Sequence, residues 1–322
     1  MRPAPNMWCS EASKDCGEDP AGSAGRYDDF FFITLPLPWA KKVWSSKHAH
    51  AGLGELVGRL GISHPRTRVM GIVPENDDAT HSRLIRYQAT RKGGYFSGYA
   101  RSEYRAKAHE VAELVRSLTE SPTDAAKELQ VPPPEHPERE IFICTHGSRD
   151  ICCGKLGFPV YEQLQSQCAS PSGGKVRVWR VSHTGGHRFA PTLLDFPTGV
   201  YWGRLDPHLA MSLMSGDGGV DEFRDAFRGC AAFDPLAQIA DREHFMKSGW
   251  GWLKTPRQLG CVSKRDDSNS TTIRLKWQSH EGSDHEETNR VILKDNVATM
   301  KSSGAEERTW VPRYNVETTA RS

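Results

Sequence analysis

The run Cys144-Thr145-His146-Gly147-Ser148-Arg149-Asp150-Ile151-Cys152-Cys153 holds three of the chain's 8 cysteines, and Ser182-His183-Thr184-Gly185-Gly186-His187 follows further along. Thiolates and imidazoles are the ligands that zinc, copper and iron-sulfur centres take. In a reducing compartment clustered cysteines are more often metal-binding or catalytic than disulfide-bonded. The two clusters together therefore point to a bound metal, with Cys144, Cys153, His183 and His187 as the candidate ligands.

Local sequence constrains how these residues are presented. Cys144 closes an apolar strand, "REIFIC", and Cys153 opens a helix whose N-terminus favours the thiolate. The intervening loop is long enough to curl around an ion or cofactor. His183 and His187 have helical spacing, but Gly185 and Gly186 between them disfavour a helix and predict a tightly bending loop. Zinc fingers use shorter cysteine gaps and a helical histidine pair. A Rieske centre needs a later Cys-x-x-His after its Cys-x-His, and only Cys144-Thr145-His146 is present. No Cys-x-x-Cys occurs, which excludes a thioredoxin redox motif. Spacing alone leaves zinc and a two-iron cluster level.

The elements that must position these residues read as α/β. Residues 1–26 are rich in Gly, Pro, Ser, Ala and Asp, and are expected to form a flexible arm. Residues 27–118 form an N-terminal α/β lobe. Its strands are "DFFFITL", "RVMGIVP", "SRLIRYQA" and "YFSGYA", with helices at "AHAGLGELVGRLG" and "SEYRAKAHEVAELVRSL". A Pro-rich linker, 119–138, carries Pro132, Pro133 and Pro134. The lobe at 139–219 again runs βαβ then ββα, the connectivity of a thioredoxin core, ending in the hairpin "TLLDF"/"VYWGRL" and the helix "PHLAMSLMSG". The first lobe has the same order and is a candidate for the same fold, although no residue-level repeat supports a duplication. Residues 220–322 form an extension. It begins with helical "DEFRDAFRG" and "LAQIADREHFMKSG", continues through strands "STTIRLKWQ" and "NRVILKDNV", and ends in a frayed polar tail.

Composition excludes several classes. With 42 Lys plus Arg against 40 Asp plus Glu, the net charge of +2 gives no field that demands nucleic acid or an anionic membrane. No apolar run is long enough to span a bilayer, and the N-terminus has no secretory apolar region. A cytoplasmic protein is expected. Sugar cleavage would need two carboxylates flanking a glycosidic bond, and no stretch singles out such a pair.

The segments "CTHGSRDICCGKLGFPVYEQL" and "VWRVSHTGGHRFAPTLLDFPTGVYWGRL", with the later "FRG" and a nearby Gln, closely resemble the sucrase/ferredoxin-like family. The resemblance extends back to "FFITLPLPWA". It implies a thioredoxin-like ferredoxin lobe with a [2Fe-2S] cluster held by Cys144 and Cys153 as one pair and His183 and His187 as the other. The two histidines, sharing a short loop, would then bind one iron. Two imidazoles in place of thiolates change the cluster's total charge from −2 and −3 to 0 and −1, so reduction meets less repulsion and the potential rises. In Rieske centres the comparable exchange gives about −150 to +300 mV, against about −400 mV for plant-type ferredoxins. A bound imidazole keeps a second nitrogen, so electron uptake can draw in a proton. The implied role is an electron carrier, more than a catalyst, working with an unidentified redox protein. A structural zinc protein and a thiol-dependent reductase using Cys152 or Cys153 are the alternatives.

Other chemistry-bearing residues have plainer readings. Cys152 adjoins Cys153 and is the alternative ligand, but the family resemblance implies Cys153, which leaves Cys152 as a packed residue or spare thiol; His146 reads as a loop cap or outer neighbour of the ligands. Cys168, Cys230 and Cys261 read as structural. Cys9 and Cys16 lie in the expected arm and read as incidental. Arg149, Lys155, Arg188 and Arg204 read as surface charge, with contacts near the cluster as the sharper option. Trp179 and Trp202 read as core.

Overall fold

The computed structural model describes residues 7–75, 80–120, 123–132, 138–168, 176–216, 218–264 and 269–319. The chain starts with α1 (Cys9–Asp15) and then runs twice through one order of elements. The first round is β1 (Asp29–Thr34), α2 (Leu53–Ser63), β2 (Thr67–Ile72), β3 (His81–Lys92), β4 (Tyr95–Lys107) and α3 (Val111–Glu120). After α4 (Asp124–Glu128) and β5 (Gln130–Val131), the second is β6 (Arg139–Cys144), α5 (Ile151–Cys168), β7 (Val176–Val181), β8 (Leu193–Phe196), β9 (Val200–Trp202) and α6 (Pro207–Ser215). The chain continues through β10 (Phe227–Cys230), α7 (Pro235–Ser248), β11 (Arg257–Lys264), β12 (Ser270–Gln278), β13 (Asp284–Met300) and β14 (Arg308–Thr319).

Each round has the same strand pairing. The first strand lies parallel to the second and antiparallel to the third, which pairs antiparallel with the fourth. The rounds meet where β2 and β7 run antiparallel, with Ile72 opposite Val181. The described strands thus join in one 14-stranded sheet.

Side-chain alternation explains how one strand serves two cores. Phe31 and Ile33 of β1 face α2 and α3 and pack with Leu53, Leu56, Leu114 and Val115. Phe30 and Phe32 face the other way into a core shared with the second round. There Phe32 stacks on Phe142 of β6, ring centroids 3.7 Å apart. Buried Glu140 is satisfied across the same junction. It accepts hydrogen bonds from Tyr87 Oη, Arg101 Nε and Trp179 Nε1 at 2.5, 2.6 and 2.9 Å. The expected lobes are therefore two halves of one packed unit.

Several expectations need correction. Ser102–Lys107 continues β4 instead of starting a helix, because pairing with β3 buries Tyr104 and Ala106 while Arg101 meets the Glu103 carboxylate at 2.7 Å. The "FRG" segment is strand β10 against β9, not helix. The C-terminal residues form β14 along β13, and their polarity reflects an exposed hairpin. Within the linker, α4 and β5 are built, with Ala126 buried, whereas Pro133 and Pro134 lie outside the described residues.

The expected flexible arm is also ordered from residue 7 onward. Its own composition cannot form a core, but other segments supply the partners. Cys9 and Ser13 are fully buried, and Glu18 pairs with Arg188 at 2.7 Å. Arg228 Nη2 donates to Ser23 O at 2.8 Å.

Candidate metal centre

Three chain segments build the centre at the ends of β6 and β7. Cys144 is the last residue of β6, and the following loop leads into the first turn of α5 with Cys152 and Cys153. The helix can approach the strand end because Gly157 has no side chain. A Cβ there would lie 2.1 Å from the Cys144 carbonyl oxygen. Gly154 packs against Gly147 in the same way, its Cβ position falling 2.8 Å from the Gly147 Cα. Close approach of backbone is the physical use of both glycines.

The histidine loop leaves β7 and bends at Gly185 and Gly186, with φ of 91° and 70°. Gly186 touches Arg228, which is buried at 1% exposure and donates from Nη1 to Gly185 O at 3.0 Å. A Cβ on Gly186 would stand 2.2 Å from Arg228 Nη2. Burial draws the Arg228 guanidinium down to about 10. This arginine braces the histidine loop against the N-terminal segment. The "FRG" triplet was its sequence signal, but nothing local revealed its role.

Ligand atoms of Cys144, Cys153 and His183 all lie within 4.8 Å of one another. His183 Nδ1 is 3.8 Å from Cys153 Sγ. Cys144 and Cys153 are buried and unbonded to each other. A hydrogen bond from Cys153 holds Cys144 well below the ordinary thiol range against the opposing effect of burial, with His183 assisting. The same pairing and burial push Cys153 up. The two sulfurs are thus hydrogen-bonded to each other through a proton. A metal would replace that proton, so a buried pair of thiols beside an imidazole suits a soft or borderline cation.

His187, the fourth expected ligand, stands beside this group. Its ring centroid is 5.7 Å from that of His183. Its Nδ1 faces elsewhere, 3.1 Å from Cys9 Sγ and 3.3 Å from Asp150 Oδ2. Cys9, Asp150 and Cys152 form a second convergent group, also within 4.8 Å. Sequence reading missed it because Cys9 and Cys152 are separated by 143 positions.

The neighbours have defined roles. His146 accepts from the His183 backbone N–H at Nδ1, 3.2 Å away, and Nε2 donates to Ala40 O at 2.9 Å. It steadies the histidine loop, in line with the loop-capping role expected for it. Arg188 and Arg204 bind the Glu18 segment, at 2.7 Å to its carboxylate and 2.8 Å to its carbonyl, respectively. Trp179 and Trp202 are buried in the core. Cys168 is half-buried, Cys230 buried and Cys261 exposed.

The family model for Sucrase/ferredoxin-like proteins matches residues 20–229. The chain belongs to the sucrase/ferredoxin-like family. The match covers both rounds of the fold and all four expected ligands, but stops short of Cys9. Two curated relatives are each named Altered inheritance of mitochondria protein 32. The Meyerozyma guilliermondii protein is 33% identical over 72 residues, covering 21% of this chain and 25% of its own. The Debaryomyces hansenii protein is 33% identical over 72 residues, covering 21% and 26%. The matched part spans about a quarter of those relatives. No solved structure matches the chain at a significant level.

Proposed function

We propose that this member of the sucrase/ferredoxin-like family is a one-electron carrier that holds a [2Fe-2S] cluster with Cys144, Cys153, His183 and His187. The observation that carries the reading is the convergence of two buried, unbonded thiols and a ring nitrogen of His183 within 4.8 Å, with the His187 ring alongside. The strand pairing of the second round supports a thioredoxin-like lobe, with the donors at the ends of its two parallel strands. The first round has the same pairing and is proposed to be a second such lobe.

When bound, the cluster supplies reversible one-electron chemistry. The chain's own residues hold and tune it. Buried Cys144 and Cys153 provide thiolates away from bulk water. His183 is fixed through its backbone by His146. His187, with Nδ1 turned to Asp150, would ligate through Nε2, and a carboxylate behind a ligating imidazole fixes its tautomer and orientation. Exchange of electrons with a redox protein partner fits the partly exposed histidine side of the centre. With the cluster bound, reduction would raise the proton affinity of the imidazole nitrogens that do not ligate iron.

Anaerobic purification followed by iron, sulfide and zinc analysis tests the reading. Iron and inorganic sulfide in equal amounts, with visible absorption, are expected. Their absence even after attempted reconstitution, or a colourless zinc protein, rejects it. His183→Cys or His187→Cys should retain the cluster and lower its potential by on the order of 100 mV or more, given the gap between mixed and all-thiolate ligation. An unchanged potential refutes the ligand assignment.

No helix among the described residues is long and apolar enough to cross a membrane. The thiols require a reducing compartment, and we propose the cytosol. The name of the yeast relatives points to mitochondria as the competing outcome of a fractionation experiment.

A further inference from the structure

We propose that Cys9, Asp150 and Cys152 form a second metal site that takes Zn2+, with His187 Nδ1 donating a hydrogen bond to the zinc-bound Cys9 thiolate. The inference does not rest on the cluster reading. Its three donors lie outside the proposed cluster ligands, and Cys9 lies outside the residues the family model matches.

Geometry carries it. Cys9 Sγ is 3.5 Å from Cys152 Sγ and 3.7 Å from each Asp150 carboxylate oxygen. Bonds of about 2.3 Å to sulfur and about 2.0–2.2 Å to oxygen, set at tetrahedral angles, give separations of about 3.8 Å between sulfurs and about 3.5–3.7 Å from sulfur to oxygen. The separations from Cys9 stand at nearly the spacing that a zinc ion imposes, and the Asp150 and Cys152 donor atoms lie within 4.8 Å of each other. All three residues are buried: Cys9 and Cys152 at 0% and Asp150 at 7%.

The surroundings are those of a site that has been shaped. Asp150 Oδ1 accepts from Cys152 N at 3.0 Å and from Ser303 Oγ at 2.8 Å, and Oδ2 accepts from Ser303 N at 3.1 Å. Ser10 Oγ donates to Cys152 Sγ at 3.3 Å. Partners thus come from α1, the start of α5 and the β13–β14 turn. Metal binding would deprotonate the two thiols, so two sulfurs and one carboxylate would gather negative charge here, beside a His187 imidazole 3.3 Å from Asp150 whose pKa burial holds below its ordinary value. A divalent cation neutralises that charge. Two thiolates with a carboxylate select zinc over magnesium or calcium, which prefer oxygen. A solvent molecule would complete the coordination. The ion would pin α1 beside His187, linking the N-terminal segment to the first centre.

The test is elemental analysis of the full-length chain, purified anaerobically as wild type, Cys9→Ser, Cys152→Ser, Cys16→Ser and Cys144→Ser. One zinc per chain is expected in wild type, Cys16→Ser and Cys144→Ser. In Cys9→Ser and Cys152→Ser zinc should fall by roughly tenfold or more, the order of loss seen when metal-site groups are removed. Iron, sulfide and near-ultraviolet circular dichroism should stay at wild-type levels in both, which separates loss of the site from loss of the fold. Wild-type chain without zinc, even after the reduced protein is incubated with Zn2+, overturns the proposal. Zinc that leaves with Cys144→Ser and stays in Cys9→Ser overturns it too, because the ion would then sit in the first group. So does a Cys9–Cys152 disulfide mapped in the anaerobic protein. Zinc that depends on Cys9 and Cys152 in a chain lacking iron and sulfide supports this site and sinks the cluster reading alone.

Discussion

The two rounds of the fold share one strand order and differ at the ends of their parallel strands. β6 ends on Cys144 and opens into the donor loop, and β7 opens into His183 and His187. At the matching place in the first round, β1 ends on Thr34, whose carbonyl lies 3.1 Å from His50 Nε2. His48, His50, His81 and His109 line a cavity there, but no cysteine joins them. The same scaffold therefore carries thiols and imidazoles in one half and imidazoles alone in the other. Strand pairing builds the platform, and the loops supply the chemistry.

Removing a donor from each half tests that difference most strongly. Cys144→Ser should abolish iron and sulfide retention, whereas His50→Gln should leave both unchanged. Measured metal content decides it. A fall in iron in His50→Gln would mean that the first round contributes to the centre and that the contrast is false.

The halves are distinct in chemistry but share one core. Phe142→Ala removes the ring stacked on Phe32 of the other round. Truncating a buried Phe costs about 3–5 kcal/mol, and the shared packing predicts that both halves melt in one transition at a lower temperature. Calorimetry checks this. Two separated transitions, with the second round alone destabilised, would make the halves independent domains.

How much of this contrast is legible in the sequence follows from the range of the forces involved. β1 and β6 are readable because "DFFFIT" and "REIFIC" are short apolar runs bounded by polar or turn residues. The first donor group is readable because its members sit in two short motifs. β4 is harder, since "SEYRAK" satisfies a helical pattern and a strand pattern alike until β3 pairs with it. The N-terminal segment is misread for a deeper reason. Its polar groups are satisfied by Arg188, Arg204 and Arg228, between 170 and 205 positions away. Likewise, Cys9 acquires meaning only through Cys152 and Ser303.

The histidine loop offers a finer test. Gly185→Ala and Gly186→Ala both place a side chain at positive φ, which costs about 1–2 kcal/mol. Gly185 has open space around its Cβ position, while at Gly186 the Cβ meets Arg228 Nη2 at 2.2 Å. Gly186→Ala should therefore lower stability and iron retention further than Gly185→Ala. Thermal melting and chelator challenge measure the two effects. Equal effects would show that Arg228 moves aside and does not brace the loop.

The smallest expected effect is a pH dependence that arises in the half without thiols. Burial lowers the His50 pKa below its ordinary 6.5, partly offset by hydrogen bonds to the Thr34 and Ala108 backbones. The unfolded chain then binds a proton more readily than the folded one. His50 thus withdraws no stability above the unfolded pKa near 6.5. It withdraws stability as pH falls through that value, until the folded pKa is reached. The slope from one such proton is at most about 1.4 kcal/mol per pH unit. His146, His187 and His244 are also lowered by burial, so the wild-type slope is a sum. His50→Gln should flatten denaturant-derived stability between pH 6.5 and 5 by the share of one histidine. In the other half a metal held by the imidazoles would keep them unprotonated in the folded chain, so loading the centre should steepen the slope. An unchanged slope in His50→Gln would mean that this imidazole is solvated in both states, and the first round would then lack the buried histidine on which its contrast with the second depends.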